Sequence, residues 1–326
     1  MARFTGEAGA ALVFLIGYSL IFGWMVYCFV THQFKWRSRY SLLFFHVTVR
    51  VASQGCGIAF GILGFRNTDV FLAYLILGAE GYFTLVLCAF RFLISWHQHN
   101  LPSHESWLEP REKDTSAGAR WRKTLALLVL GPFAVIFYWR ERMAVLHFLL
   151  IFANAAIVVG GSYLAGADFT DVNGKDTQNR LNISKITRTT GQSVFLACNF
   201  ILLLAILATI RNERRRNRNG KSSKTHSTLI LLLVAWFPLI VRGIFGVLQS
   251  AVWSLSYYNP ENYESTGFTA RFTAIEYVLG VFTEWLACLL LNATYFTSKS
   301  DPSKGEISTE EMKRSNREPG RDQIPV

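Results

Sequence analysis

The sequence predicts an all-α protein, a polytopic membrane bundle with seven transmembrane helices. Its 326 residues are 51% apolar and only 17% charged, whereas soluble chains carry roughly 25% charged residues. The charged residues concentrate in short tracts between apolar runs, which exceed the roughly 18 residues of a membrane-spanning helix. This pattern excludes a cytosolic enzyme, a secreted disulfide scaffold and a nuclear protein.

Seven apolar runs are long enough to cross a bilayer as helices. They span residues 9–31, 41–64, 70–95, 145–165, 190–210, 228–250 and 268–296. An eighth run at 125–139 would form about 22 Å of helix, which is shorter than a hydrocarbon core of about 30 Å. We therefore predict a re-entrant or interfacial segment there, inside a large inner loop at 96–144, with a short eighth crossing as the alternative.

The distribution of Lys and Arg predicts how the chain is threaded. With seven crossings and the N-terminus outside, 23 of the 33 basic residues lie in inner segments and six in outer ones. The positive-inside rule therefore places the N-terminus outside or in a lumen and the C-terminus in the cytoplasm. Residues 1–297 form the transmembrane domain, and the polar stretch 298–326 is predicted to be a disordered cytoplasmic tail.

A glycosylation signal agrees with this orientation. Asn182 begins an Asn-x-Ser sequon in the segment 167–189, which the charge count places outside. The net charge of +11 lies mostly in loops and tail. We interpret the basic stretch 211–218 as a cytoplasmic anchor near anionic lipid head groups rather than as a nucleic-acid site. Membrane lipids are the expected partners.

Five ionisable residues lie well inside the predicted spans: Arg50, Glu80, Arg242, Glu276 and Glu284. A charge at the centre of a membrane helix costs roughly 2.5–3.5 kcal/mol on insertion scales, so such residues normally face the bundle interior and pair. Helix rise places Glu80, Arg242 and Glu276 about 12–15 Å from the outer ends of their spans, which predicts an outer layer. Arg50 and Glu284 lie about 13–18 Å from the inner ends, which predicts an inner layer.

Small residues accompany the charges. Glu276, Gly280 and Glu284 recur at four-residue spacing and so share one side of the last helix. Gly280 lets another backbone or a ligand come close between the two carboxylates. A second stripe has the small-xxx-small form that favours tight helix packing, and its members are Ser53, Gly57 and Gly61.

The buried charges have two interpretations. Arg–Glu pairs hold helices in register in one, and they line a polar pocket or a proton-coupled path in the other. The aromatic loop 251–267 is likewise open to two interpretations, as a simple interfacial loop or as a lid over the outer end of the bundle.

Several site types are missing from the sequence. It contains no nucleophile elbow, no HExxH zinc motif and no Walker phosphate loop. No lysine lies within a predicted span, which excludes a retinal Schiff base. We therefore predict neither an enzyme nor a bound metal or cofactor.

Short motifs carry a resemblance to a known family. They are Val49-Arg50, Gly160-Gly161-Ser162, the run Pro238 to Arg242, and Glu276-Tyr277 followed by Gly280 and Glu284. These motifs lie in the second, fourth, sixth and seventh spans, and by them the chain resembles, over all seven spans in order, fungal seven-helix membrane proteins of unknown function. These are distantly similar to fungal lipid-translocating exporters, which are associated with resistance to toxic sterols and sphingoid bases.

The resemblance implies transport or translocation of a small amphipathic or lipidic molecule. The alternative is a seven-helix receptor or sensor that signals through the basic inner loops and tail. Trp236-Phe237-Pro238 resembles an element of G-protein-coupled receptors, but the third and seventh spans lack that family's motifs.

Overall fold

The computed structural model describes residues 5–36, 38–64, 67–101, 106–108, 142–163, 174–219, 225–264 and 267–299. Within these residues, seven helices are long and apolar enough to cross a membrane. They are α1 (Gly6–Val30), α2 (Arg39–Leu63), α3 (Thr68–Asn100), α4 (Arg142–Ser162), α5 (Lys175–Asn219), α6 (Ser227–Ala251) and α7 (Ala270–Ser298). The predicted fold class is confirmed, and the chain is a multi-pass integral membrane protein.

Helices that follow one another in the chain pack as neighbours. The pairs α1–α2, α2–α3, α4–α5, α5–α6 and α6–α7 are all in contact, and α3 also contacts α4, α5, α6 and α7. The central position of α3 explains why its second half is buried on most sides, from Tyr82 to Trp96. We call the end of the bundle that holds Gly6, Ala251 and Ala270 the N-terminal end.

Side-chain caps fix the helix starts at the N-terminal end. The Thr5 hydroxyl accepts a hydrogen bond from the Ala8 N–H and donates one of 2.8 Å to the Gly61 carbonyl, which ties α1 to the last turn of α2. The Thr269 hydroxyl accepts from the Phe272 N–H and caps α7 in the same way. Such caps satisfy N–H groups that a helix start leaves unpaired.

One helix is much longer than the predicted span that it contains. The apolar run 190–210 lies inside α5, a helix of 45 residues from Lys175 to Asn219. At 1.5 Å per residue it is about 67 Å long, roughly twice a hydrocarbon core. Hydropathy detects only the part of a helix that lies in lipid, whereas the polar turns beyond it also favour helix, with an ion pair between Arg180 and Asp176 one turn apart.

The seventh helix contains an irregularity that the sequence did not indicate. Residues Glu276–Val281 form a π-helical segment between the α-helical stretches Ala270–Ile275 and Phe282–Ser298. A π turn holds more residues than an α turn, and such segments often occur at functional sites. The segment begins at Glu276, one of the predicted site residues.

The loop between α6 and α7 is folded. It contains two short 3-10 turns and an antiparallel pair of strands, β1 (Tyr263–Glu264) and β2 (Gly267–Phe268). Phe268 packs with Phe60 of α2 and Phe272 of α7 in an aromatic cluster. This cluster holds the loop against the N-terminal end of the bundle.

Two predicted segments fall outside the described residues. The whole of the segment 125–139 does so, and so does the tail from residue 300 onward. The re-entrant segment and the disordered tail therefore stay predictions.

Candidate functional site

A network of three charged side chains lies at the centre of the bundle. Glu284 of α7 is 0% exposed, and its Oε1 accepts a hydrogen bond of 2.6 Å from Nε of Arg242 on α6. Its Oε2 forms an ion pair with the guanidinium of Arg50 on α2. Both arginines are also buried. One carboxylate therefore serves two guanidinium groups, and three helices meet at it.

The backbone of α3 makes room for the Arg50 guanidinium. A Cβ atom at Gly81 would overlap that guanidinium, so only glycine leaves the space that Arg50 occupies. The Arg242 guanidinium lies over the rings of Tyr82 and Phe245, with its carbon 5.6 and 5.9 Å from the two ring centres. Such cation–π contacts stabilise a desolvated guanidinium.

The predicted division into two charge layers is wrong for Arg242, and Arg242 and Glu276 do not pair. Arg242 pairs with Glu284, which was assigned to the other layer. Glu276 instead accepts a hydrogen bond of 2.6 Å from Nε2 of Gln249, and the Tyr257 hydroxyl also hydrogen-bonds with it. The residue that sequence reasoning missed here is Gln249, seven positions after Arg242 on the same helix.

The antiparallel register of α6 and α7 explains this error. Gln249 is level with Glu276 and lies only two residues before the end of α6 at Ala251, whereas Arg242 lies nine residues before it. Glu276 is six residues past the start of α7, so the first turns of α7 extend beyond α6. Depths counted from the two helix ends therefore do not share a common reference plane.

Some of the remaining predicted residues pack helices together, and others lie at the site itself. Gly57 lies close to Ala11, and Gly61 lies against the backbone of Ala8, so both face α1. Gly280 makes room for the carboxylate of Glu276, since a Cβ there would lie 3.1 Å from Glu276 Oε1. Ser53 is buried beside the central cavity. Glu80 belongs to α3, but its side chain lies outside the described residues.

A central cavity is lined by six of the predicted residues, which are Arg50, Ser53, Arg242, Glu276, Gly280 and Glu284. It runs from the loop between α6 and α7 down to Arg50, Arg242 and Glu284, which form its floor. Arg242 is nine residues from the end of α6, so the floor lies about 14 Å below that end, close to the middle of a bilayer core. About 90 Å³ is open to the centres of water molecules, and one water requires roughly 10–15 Å³ by this measure.

One wall of the cavity is apolar and reaches the outer surface of the bundle. Leu72 and Ile76 of α3 line it opposite Ile157 and Val158 of α4. Leu72 and Ile76 are also 41% and 42% exposed, so protein does not enclose this wall. The cavity therefore has an apolar side opening between α3 and α4 and a charged floor.

The polar side chains around the cavity have unused hydrogen-bonding capacity. Among the described residues, the following buried atoms have no hydrogen-bond partner: Arg50 Nε, Ser53 Oγ, both amide atoms of Gln54, Gln192 Oε1 and Arg242 Nη1. All five residues line the cavity. An unsatisfied buried polar atom costs roughly 1–3 kcal/mol, so these atoms indicate a site for polar groups that enter the cavity.

Gln54 and Gln192 are the second set of residues that sequence reasoning missed. Gln54 is 0% exposed and lies one turn after Arg50 on α2, so it shares the buried face of that helix. The spacing from Arg50 was the available signal, but only charged residues were counted. Gln192 of α5 had no such signal, because no charge had been predicted on that helix face.

The loop covers the N-terminal end of the cavity. Tyr257 and Tyr258 line the cavity, and the Arg188 guanidinium of α5 lies 5.1 Å from the ring centre of Tyr258. Burial raises the pKa of the Tyr258 hydroxyl, and the positive charge of Arg188 partly opposes this shift. Burial and the nearby Glu276 both raise the pKa of Tyr257. Both tyrosines therefore stay neutral donors at physiological pH.

A further acid lies beneath the same loop. Glu7 is 2% exposed at the start of α1, where its carboxylate packs close to Gly267 of β2. The sequence placed it in an outer segment because it precedes the apolar run. The folded loop buries it, and nothing local in the sequence indicated that covering.

The predicted glycosylation residue is exposed. Asn182 lies on the first part of α5, beyond the apolar run of that helix, with Ser184 buried two positions later. The segment that was predicted to lie outside is helical from Lys175 instead of a loop.

Neither a protein-family model, nor a curated protein, nor a solved structure matches this chain. The geometry of the site therefore carries the functional argument.

Proposed function

We propose that this protein binds a small amphipathic or lipidic molecule in the central cavity and moves it through the membrane. The observation that supports this proposal is the combination of an apolar side opening with a buried charged floor. A molecule with an acyl-like chain and a polar head would place the chain between α3 and α4 and the head at the floor. The resemblance to lipid-translocating exporters points to the same substrate class.

The cavity is one-sided, as a transport intermediate requires. It reaches the N-terminal end of the bundle, whereas below Glu284 the described core is filled by Leu43, Leu85 and Leu291. Movement of a substrate past the floor requires rearrangement of the helices that meet at Glu284. The protein performs no chemical conversion of the molecule in this proposal.

The proposal includes the orientation. The N-terminus and the loop between α6 and α7 face outside or a lumen, and the C-terminus faces the cytoplasm. The cavity then opens to the outer or lumenal leaflet.

The test is translocation of fluorescent lipids in reconstituted vesicles. Protein in phosphatidylcholine vesicles is given NBD-labelled phosphatidylcholine or phosphatidylserine, and dithionite quenching reports how much label changes leaflet. Ile76→Trp, which fills the side opening, is expected to slow translocation at least several-fold. The matched control is Leu20→Trp on α1, which is 71% exposed and does not line the cavity. Vesicles that show no translocation above empty ones for either lipid contradict the proposal.

The second candidate function is a receptor or sensor, and one observation favours it. A second cavity lies between the C-terminal parts of α3 and α5, lined by Trp96, Trp107, Arg215 and Arg216 among others. It is at the opposite end from the loop, where a cytoplasmic partner would bind. Ligand-dependent recruitment of such a partner that survives Glu276→Gln and Arg242→Gln would support signalling over transport.

A further inference from the structure

We infer that the central cavity binds its amphipathic ligand through a negatively charged head group, a phosphate ester or a carboxylate. This inference deepens the proposed function, on which it rests, by naming the chemistry of the head group. It follows from the charge inventory of the cavity and from the atoms left without partners there.

The described cavity lining carries more positive than negative charge. Its basic residues are Arg50, Arg188 and Arg242, and its acidic residues are Glu276 and Glu284. At the floor the imbalance is sharper, because Arg50 and Arg242 share the single carboxylate of Glu284. An uncompensated charge is unfavourable in a low-dielectric site, and a ligand anion removes the imbalance.

Among the described residues, Glu276 forms no ion pair with Arg50 or Arg242, both of which pair with Glu284. Its carboxylate is held by Gln249 and Tyr257 near the upper end of the cavity, about seven residues of α6 above Arg242. Seven residues of helix correspond to about 10 Å. The positive charge of the floor and the negative charge of Glu276 are therefore separated along the cavity.

The unpartnered atoms match an anion at the floor. Nε of Arg50 and Nη1 of Arg242 are donors without acceptors, and Nε2 of Gln54 is a third. These three side chains are each more than nine-tenths buried and line the cavity. Three buried donors around the cavity suit the oxygens of a phosphate or carboxylate, which bind guanidinium groups by charge-assisted hydrogen bonds.

The same charges and unpartnered donors disfavour a cationic head group. An ammonium group at the floor would add a third positive charge beside one carboxylate. The unpartnered amide oxygens of Gln54 and Gln192 would accept from it, but the three donors would stay without acceptors. A neutral sugar or hydroxyl head group would satisfy some donors but would leave the charge imbalance in place.

The test compares ligands that share a dodecyl chain and differ in head group. Radiolabelled dodecanoate, dodecyl phosphate, dodecanol and dodecyltrimethylammonium are titrated against the full-length protein in phosphatidylcholine nanodiscs. Empty nanodiscs measure partition into the lipid alone. The two anions are expected to bind at least about tenfold more tightly than dodecanol, because hydrogen bonds to charged groups are stronger than hydrogen bonds between neutral groups.

Variants locate the preference. Arg242→Gln is expected to reduce anion binding to the dodecanol level, while it leaves the balanced pair of Arg50 and Glu284. Arg180→Gln is the matched control, because Arg180 pairs with Asp176 on the surface of α5 and does not line the cavity. If Arg242→Gln does not fold, the comparison of head groups on the unmodified protein still decides the question.

The outcomes separate the inference from the proposed function. Equal binding of dodecanol and the two anions overturns the anion inference but leaves amphiphile binding intact, and so does a preference for the ammonium compound. An anion preference that appears only in Glu80→Gln also overturns it, because Glu80 then supplies the second negative charge. No specific binding of any ligand above empty nanodiscs contradicts the proposed function itself.

Discussion

Replacement of Glu284 by Gln removes the only carboxylate that contacts Arg50 and Arg242 among the described residues. The substitution keeps the size of the side chain and deletes one negative charge. Two buried guanidinium groups then lose their counterion together. Arg242→Gln is the contrasting change, because it leaves Arg50 and Glu284 as a balanced pair.

The two substitutions differ in expected magnitude. Removing one partner of a buried ion pair costs about 3–5 kcal/mol, and Glu284 is the partner in two pairs, so the loss for Glu284→Gln lies at or above this range. Arg242→Gln loses one charge-assisted hydrogen bond, worth about 1.5–3 kcal/mol. The double variant is expected to be more stable than Glu284→Gln alone, because it buries one positive charge fewer.

The assay is unfolding in mixed micelles of dodecyl maltoside and increasing SDS, followed by circular dichroism. Glu264→Gln is a control, since Glu264 is an exposed glutamate of β1, and its unfolding midpoint should match that of the parent protein. Arg242→Gln that unfolds as early as Glu284→Gln, or earlier, would refute the shared-carboxylate arrangement. A double variant that is less stable than both single variants would refute it too.

Three further predictions concern the same structure. Gly81→Ala is expected to destabilise the protein by about 1–3 kcal/mol in the same SDS assay, because the added methyl group displaces the Arg50 guanidinium. Gly78→Ala on the same helix is the control, since a methyl group there meets no atom within 4 Å and should be neutral or stabilising. Equal losses for the two variants would contradict the close approach of Arg50 to the backbone of Gly81. Asn182→Gln is expected to abolish a glycosidase-sensitive shift in gel mobility. Asn292 belongs to a second Asn-x-Thr sequon but is buried in α7, so Asn292→Gln should leave the shift unchanged. A shift that survives Asn182→Gln contradicts the proposed orientation. The pKa of Tyr258 is raised from 10.0, so the folded loop holds the hydroxyl proton more tightly than the unfolded chain does. The stability that this provides is complete below pH 10 and falls as the pH rises above 10. The difference in tyrosinate absorbance between the parent protein and Tyr258→Phe should titrate above pH 10, and a midpoint at or below pH 10 would show that Tyr258 is not buried.

The bundle was predictable because each crossing has its own local signal. The ends of α1, α2, α6 and α7 fall within three residues of the apolar runs. α5 differs because hydropathy detects lipid burial and not helical structure. The burial of Glu7 depends on a contact with the distant residue Gly267, so no local pattern indicated it, and none indicated the π segment at Glu276–Val281.

The sequence predicted which charged residues belong to the site better than it predicted which of them pair with each other. Arg50, Arg242 and Glu284 were selected because a charge inside an apolar run requires a partner, and they form one network. Which arginine meets which glutamate depends on the relative heights of α6 and α7, and these heights are set by tertiary packing. The glutamines were missed because an uncharged amide disturbs the hydropathy pattern far less than a charge does.

The structure bears on whether the buried charges serve packing or binding. A pair that only holds helices in register gains most from matched charges and complete hydrogen bonding, since an unsatisfied buried network is less stable than apolar residues of the same volume. The floor of this cavity has neither property: two arginines share Glu284, and both keep a donor without an acceptor beside open space. These features each lower stability, and local departures from optimal packing and pairing are typical of functional sites. An anion at the floor with an apolar chain in the opening beside Ile76 would remove all of them at once, and for this reason we propose binding, rather than helix register alone, as the role of these charges.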